Sequence, residues 1–181
     1  GEITVKGERV SHPTPEKMKS HKVGLTPEDR KQQGLVLSFS VHDNLTIASM
    51  DRFSVNGVLQ RAKAHAMASG MIQSMDIKTP GLWVPTATLS GGNQQKVVVG
   101  NWLNMLPEVL LMDEPTRGID IQAKEQIFTL VRDLAARGLA VVFISSEIEE
   151  VLDVADRILV MHDGRVTAEV KPDEVDLEQL L

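Results

Sequence analysis

Short apolar runs, punctuated by proline and glycine, divide the chain into a strand-forming start, a helical middle and an alternating end. Ile3, Val5 and Val10 flank Lys6-Gly7, which predicts a hairpin. From Ser11 to Lys22 the chain is polar, with Pro13 and Pro15, and reads as a loop with a short helix. Val23-Gly24-Leu25 reads as a short buried strand that stops at Pro27, ahead of Glu28-Asp29-Arg30-Lys31. From about Val41 to Leu106 the pattern is mostly helical. Helix formers without proline run from Val58 to Met75, and Met67, Met71 and Met75 recur every four residues. A methionine stripe at that spacing predicts core packing. Phe39, Met50 and Phe53 lie beside it and fit either internal packing or exposed anchors for a partner. Thr79-Pro80-Gly81 breaks the helix, and a second one is expected from Ser90 to about Leu106.

The last third alternates. Val109 to Met112 and Ala140 to Ile144 are short β-branched or apolar runs of the buried-strand type. Between them, Ile127, Leu130, Val131 and Leu134 place an apolar stripe on a helix from Ile121 to Arg137, with Gly138 at its C-terminal cap. A short helix is expected at Ile148 to Val154. Ile158 to Met161 and Val166 to Val170 form strands around the turn signal Asp163-Gly164, and a helix is expected from Asp173 to Leu181. Strand–helix–strand order implies parallel strands joined by crossover helices. The expected fold is therefore α/β, with the helical middle inserted in a parallel-sheet core. The divisions fall at residues 1–40, 41–106 and 107–181.

Composition narrows the function classes. With 25 acidic and 19 basic residues the net charge is -6, which argues against coating a nucleic-acid duplex. Aromatic residues make up 3% of the chain, too few for a base-stacking platform. No cysteine is present, which excludes disulfides, thiolate metal sites and cysteine nucleophiles. No apolar run approaches the roughly 20 residues of a membrane span. Gly1 leads into a strand-like segment rather than a signal peptide. His12, His21, His42 and His65 show no metal-ligand spacing, and His162 reads as an exposed turn residue.

Two segments carry chemistry. Val109-Leu110-Leu111-Met112-Asp113-Glu114-Pro115 is a buried strand that ends in two adjacent carboxylates. Ligands of open parallel sheets bind outside the carboxyl ends of strands. One acid there can hold Mg²⁺ and the other can orient an attacking water. The same dipeptide also fits a pair of acids opening a solvent loop. Leu89-Ser90-Gly91-Gly92-Asn93-Gln94-Gln95-Lys96 places two glycines at a helix start, where bare backbone N–H groups suit a phosphate. An ordinary glycine-containing helix start is the alternative.

Taken together, these segments resemble the ABC-type ATPases. Leu89 to Gln95 resembles their signature motif and Val109 to Glu114 their Walker B strand. Thr116-Arg117-Gly118-Ile119-Asp120 resembles the D-loop, and Ile158 to Arg165 the hairpin that follows. Asn93-Gln94-Gln95 after the glycines, Thr26 to Lys31 ahead of Gly34-Leu35, and Ile144-Ser145-Ser146-Glu147 make the chain similar to one particular branch. That branch is the second, C-terminal nucleotide-binding half of bacterial monosaccharide importers. The resemblance implies an ABC-ATPase core with a parallel sheet, flanking helices, a helical subdomain and a β-hairpin start. It implies ATP and Mg²⁺ as ligands and sugar import driven by ATP hydrolysis. Partners would be the first nucleotide-binding half of the same polypeptide, membrane permease subunits and, indirectly, a periplasmic sugar-binding protein. The location would be the cytoplasmic face of the bacterial inner membrane. A non-transport ABC ATPase acting on nucleic acid would call for a basic face or a long coiled coil, and neither is present.

The same resemblance assigns roles. Glu114 would be catalytic and Asp113 would hold Mg²⁺ through water. Ser90, Gly91, Gly92, Asn93 and Gln94 would contact nucleotide held by the partner half, with Asp120 contributing from the D-loop. Three departures stand out. No G-x-x-x-x-G-K-[ST] loop occurs, so the chain resembles a half that begins after its Walker A motif; by itself it is expected to bind nucleotide very weakly or not at all, and the alternative reading is a catalytically inert fragment or dimerisation module of such a subunit. Glu28 stands at the Q-loop position, where glutamine is usual and where it would face nucleotide and could still ligate Mg²⁺ or water, and Ser146 takes the catalytic switch position, where histidine is usual. A hydroxyl there cannot supply an imidazolium. The resemblance implies that this half completes a competent site in trans and owns a degenerate one.

Overall fold

Thr4–Val5 (β1) and Glu8–Arg9 (β2) pair antiparallel across Lys6-Gly7, as the opening pattern predicts. The architecture is that of a computed structural model, which describes residues 1–175. Pro15–Ser20 (α1) starts at proline, and the Thr14 hydroxyl caps it by accepting from the Lys17 amide at 3.3 Å. Val23–Thr26 (β3) follows. One wide helical turn, Arg30–Gly34, is then held by Asp29, whose carboxylate accepts from the amides of Lys31 and Gln32.

The helical middle begins with Val41–Thr46 (α2), capped by Ser40. The expected long helix from Val58 does not start there. Ser54–Val55 (β4) and Val58–Leu59 (β5) pair around Asn56-Gly57, where both residues have positive φ, and the helix begins only at Arg61. Asn-Gly is the strongest short hairpin signal, and it overrides the helix propensity of its neighbours. Arg61–Ser74 (α3) and Gly91–Leu103 (α4) then pack with α2. Of the methionine stripe, Met75 is buried while Met67 and Met71 are only half-covered. Phe53 is a core residue, whereas Phe39 and Met50 are exposed. Asn44 is the polar anchor of this region. Its side chain accepts from the Val36 amide and donates to the Val36 carbonyl and the Thr86 hydroxyl, all within 3.0 Å.

Val109–Asp113 (β6), Ile121–Ala136 (α5) and Ala140–Ile144 (β7) continue the core, followed by Ile148–Val154 (α6). The sheet order is β3-β6-β7, all parallel, with Gly24 beside Leu110 and Leu110 beside Val141. Leu110 and Met112 are fully buried, packed with Val97, Val98 and Val99 of α4 and with Ile127 and Val131 of α5. Ile127, Leu130 and Val131 of the stripe read from the α5 sequence face this core, while Leu134 is half-buried outside it. Phe128 joins it with its ring edge on Phe143, the centroids 6.3 Å apart. β7 departs from the expected buried strand, because Val142 and Ile144 are about half exposed. The described helices cover one face of the sheet, so the alternate residues of β7 stand open.

Ile158–His162 (β8) and Arg165–Val170 (β9) form the expected hairpin around Asp163-Gly164. Pro172–Glu174 makes one tight turn, and the rest of the helix expected from Asp173 to Leu181 lies outside the described residues.

Candidate functional site

β6 carries Asp113 and Glu114 to the carboxyl end of the sheet, where α5 and β7 meet it. Asp113 is half-buried, and among the described residues none donates a hydrogen bond to its carboxylate. Glu114 is the first residue beyond the strand and has φ 43°, a left-handed conformation costly for a side-chain-bearing residue. Two bonds to the end of β7 hold it there. The Glu114 amide donates to the Ile144 carbonyl at 2.9 Å, and the Ser146 amide donates to Glu114 Oε1 at 2.7 Å. The structure thus brings Glu114 and Ser146 together. The contact runs through the serine backbone and leaves the hydroxyl out.

Behind this pair lies a buried carboxylate that the sequence reading missed. Glu150, on α6, is 5% exposed. Its Oε2 accepts from the Thr116 hydroxyl at 2.5 Å and from the Ser145 hydroxyl at 2.9 Å, and its Oε1 accepts from Lys124 Nζ at 2.7 Å. Burial pushes the Glu150 pKa up, but the Lys124 ammonium and the two hydroxyls outweigh it and hold the carboxyl below its ordinary range. The Lys124 pKa rises in turn, through its bonds to Glu147 and Glu150. An acidic residue in a short amphipathic helix carries no sequence signal for this, because its donors come from positions 116, 124 and 145.

A second cluster surrounds the start of α4. Ser90 has the extended backbone of an N-cap, yet its side chain caps no amide, and its Oγ instead accepts from Asn93 Nδ2 at 2.8 Å. Asn93 Oδ1 accepts from the Lys78 amide. Gln94 does not reach the surface. It is 5% exposed, and its Nε2 donates to the Thr86 and Leu89 carbonyls, so its amide serves the preceding turn rather than a ligand. Lys96 is also buried, with Nζ on the Asp76 carbonyl, and that burial pulls its pKa down.

The glycines have packing tasks beyond baring N–H groups. A Cβ on Gly92 would fall 2.5 Å from Ala123 Cβ of α5, and one on Gly91 would fall 2.9 Å from Arg30 Nη2. Arg30 is buried, and its guanidinium donates to the carbonyls of Arg117 at 2.7 Å and Gly118 at 3.1 Å. Glu28 is exposed and ion-paired with Arg117. Asp120 caps α5 by accepting from the Ala123 amide at 2.9 Å. Arg30, Glu28, Gly91, Gly92 and the 117–123 segment therefore form one packed unit. Among the described residues no hydrogen bond joins residues 90–94 to Asp113 or Glu114.

The residues present fit Mg²⁺ in a limited sense. No cluster of three or more ligating side chains occurs among the described residues. Mg²⁺ characteristically keeps several waters and takes one or two carboxylates plus phosphate oxygens, for which Asp113 alone is a sufficient protein donor.

A parallel sheet ending in paired carboxylates, interrupted by a helical insertion whose last helix starts on two glycines, is the architecture of an ATP-binding cassette. A solved dimeric ATP-binding cassette, MJ0796 in a post-hydrolysis state with ADP and phosphate, superposes with a TM-score of 0.77 at 23% identity, over 95% of this chain and 73% of that one. The chain belongs to the ABC transporter family, whose model matches residues 1–117. It is 41% identical over its whole length to the ribose import ATP-binding protein RbsA of Geobacillus kaustophilus, and covers 37% of that protein. It is 44% identical over 93% of its length to the uncharacterized ABC transporter ATP-binding protein YphE of Escherichia coli, and covers 34% of it. The chain thus spans about a third of the curated relatives it matches.

Proposed function

We propose that this chain is part of the ATP-hydrolysing subunit of a sugar-import ABC transporter, located at the cytoplasmic face of a bacterial inner membrane. The observation that carries the reading is the Glu114 carboxylate fixed at the end of β6 by the Ser146 amide. A carboxylate held there can accept a proton from, and orient, a water attacking a phosphoryl group. Asp113 would hold Mg²⁺ through water, and the metal would supply neutralisation of phosphate charge. The start of α4 has amides without a side-chain cap, and these suit a phosphate presented by a partner half. Ser146 lacks an imidazole, which supports a site of reduced competence in this half. Relatives that share 41% identity over the full chain are named for ribose import, which favours a monosaccharide as cargo.

The helical middle would receive the permease. Phe39, Ile47, Met50, Leu59 and Trp83 line a groove of about 720 Å³ beside α2 and α3, and each is exposed. No helix among the described residues is long and apolar enough to cross a membrane.

The test is calorimetry with Mg-ATP, together with steady-state ATPase measurements, on the full polypeptide that contains this chain, with the catalytic carboxylate of its other half replaced so that turnover reports this site. Saturable binding and hydrolysis that falls on Glu114→Gln are expected. Binding without any Glu114-dependent hydrolysis leaves the chain a dimerisation and signature-bearing part only. Tight binding by the 181-residue chain alone would overturn the assignment of the phosphate site.

A further inference from the structure

We propose that Glu150 is a positioning residue for Glu114, fixing it by tying together the two segments that flank it. The proposal rests on the ATPase reading above. Thr116 lies two residues beyond Glu114 and donates to Glu150 Oε2 at 2.5 Å. Ser145 precedes the amide that binds the Glu114 carboxylate, and donates to the same oxygen at 2.9 Å. Lys124 of α5 holds the other oxygen at 2.7 Å and is itself held by Glu147 at 2.8 Å. One buried carboxylate therefore anchors the outgoing chain of β6, the outgoing chain of β7 and the start of α5.

The anchor acts through few covalent steps. A shift of the Ser145 hydroxyl moves the Ser146 amide one peptide away, and that amide is the donor on Glu114 Oε1. On the other side, Thr116 limits how far residues 114–116 can relax toward the open face. Glu114 sits in a left-handed backbone conformation, which surrounding contacts must over-determine if it is to persist. The chemistry at position 150 is specific as well. Two hydroxyl donors and an ammonium converge there, and a carboxylate accepts charge-assisted bonds from all three. A glutamine can keep its oxygen on the ammonium only by turning its NH₂ to the hydroxyl pair, whose two charge-assisted bonds to one carboxylate oxygen are then exchanged for longer, neutral ones, so the grip on Thr116 and Ser145 loosens.

The experiment is steady-state ATP hydrolysis by the full polypeptide with the catalytic carboxylate of its other half replaced, so that turnover reports this site, and with Glu150→Gln, Thr116→Val and Thr116→Ser made in the otherwise native and the Glu114→Gln backgrounds. Misplacing a catalytic group by about 1 Å costs on the order of 100-fold, so Glu150→Gln is expected to lower kcat by about 10- to 100-fold with KM for ATP nearly unchanged. Thr116→Val lowers kcat less, and Thr116→Ser, which keeps the hydroxyl, restores it. In the Glu114→Gln background Glu150→Gln adds nothing further, because the group it positions is gone. Unchanged kcat in Glu150→Gln overturns the proposal. So does an equal fall in both backgrounds, the mark of a role in folding alone. Where Glu150→Gln does not fold, as read by its thermal melt, the Thr116 pair decides by the same comparison. A native protein with no Glu114-dependent hydrolysis overturns the ATPase reading itself, and is seen before any Glu150 variant is assayed.

Discussion

The Ser146 amide donates to Glu114 Oε1 at 2.7 Å, so the residue at the switch position serves the carboxylate with its backbone. Side-chain replacement is then expected to matter little and loss of the N–H to matter much. Ser146→Ala should hydrolyse ATP within about twofold of the native protein. Ser146→Pro, which has no donor, should lose on the order of 10-fold or more in kcat. Steady-state kinetics on the full polypeptide decide it. A severe loss in Ser146→Ala would show that the hydroxyl takes part directly.

Gly92 allows α4 to approach α5. Its missing Cβ would fall 2.5 Å from Ala123 Cβ, a separation that only a shift of one helix can relieve. Gly92→Ala gains helix propensity of about 1 kcal/mol. Overpacking between helices costs about 1–3 kcal/mol, and here it should prevail. The net loss should appear as a lower denaturation midpoint, and Gly92→Ala with Ala123→Gly should recover most of it. No recovery in the double variant would place the strain elsewhere.

Glu150 and Lys124 make stability depend on pH. The Glu150 pKa is depressed in the folded state, so its contribution is present above the unfolded carboxyl value of about 4.3 and is lost as pH falls through the folded value. Lys124→Met removes the cation that opposes burial and leaves the Glu150 carboxylate buried with only its two hydroxyl donors. Breaking a buried pair costs 3–5 kcal/mol, but the Lys124 side chain is 20% exposed, so about 2–3 kcal/mol is expected near pH 7. The deficit should shrink on acidification through pH 4, where protonation relieves the unpaired charge in the variant. Denaturant unfolding at pH 7 and at pH 3.5 measures both ends. A pH-independent deficit would mean that packing of the Lys124 stem dominates.

The groove beside α2 supplies a fourth expectation. Met50 and Phe39 are each nearly half exposed and line its apolar wall. If the groove receives a membrane permease as proposed above, Met50→Asp should abolish co-purification of the full polypeptide with that permease while leaving Mg-ATP binding intact. Retained association would move the docking site away from this groove.

Much of the frame was legible in the sequence because periodic patterns fixed it. Ile127, Leu130 and Val131 of the α5 stripe face the core, and Asp163-Gly164 turns its hairpin as read. The helix expected from Val58 failed because the Asn56-Gly57 turn pairs Val58–Leu59 with Ser54–Val55. Asp113, Glu114 and the signature segment were legible as motifs, but the contacts that position them were not. Gln94 was read as ligand-facing, yet its polar side chain is buried on backbone carbonyls from the preceding turn. Arg30 and Glu150 gave no local signal, since each is defined by partners more than 25 positions away, save Ser145 for Glu150.

Arg30 gives the last expectation, and it concerns how the segment after β3 is joined to the signature. Its guanidinium reaches two successive carbonyls, of Arg117 and Gly118, and Nη2 occupies the space that a side chain at position 91 would need. Ordinarily the end of an arginine is flexible and would swing aside for one extra methyl group. Here two hydrogen bonds hold it, so Gly91→Ala should cost about 1–2 kcal/mol in the native background. Arg30→Lys keeps the charge but not the fork, and one ammonium on a flexible stem cannot replace the planar pair of bonds. That variant should lose a similar amount. The decisive comparison is the pair. In Arg30→Ala the space beside Gly91 opens, and Gly91→Ala should then cost little, giving a coupling of about 1 kcal/mol in a double-mutant cycle of unfolding free energies. Additive losses would show that residues 30 and 91 are held independently, and that the contact does not link the two segments.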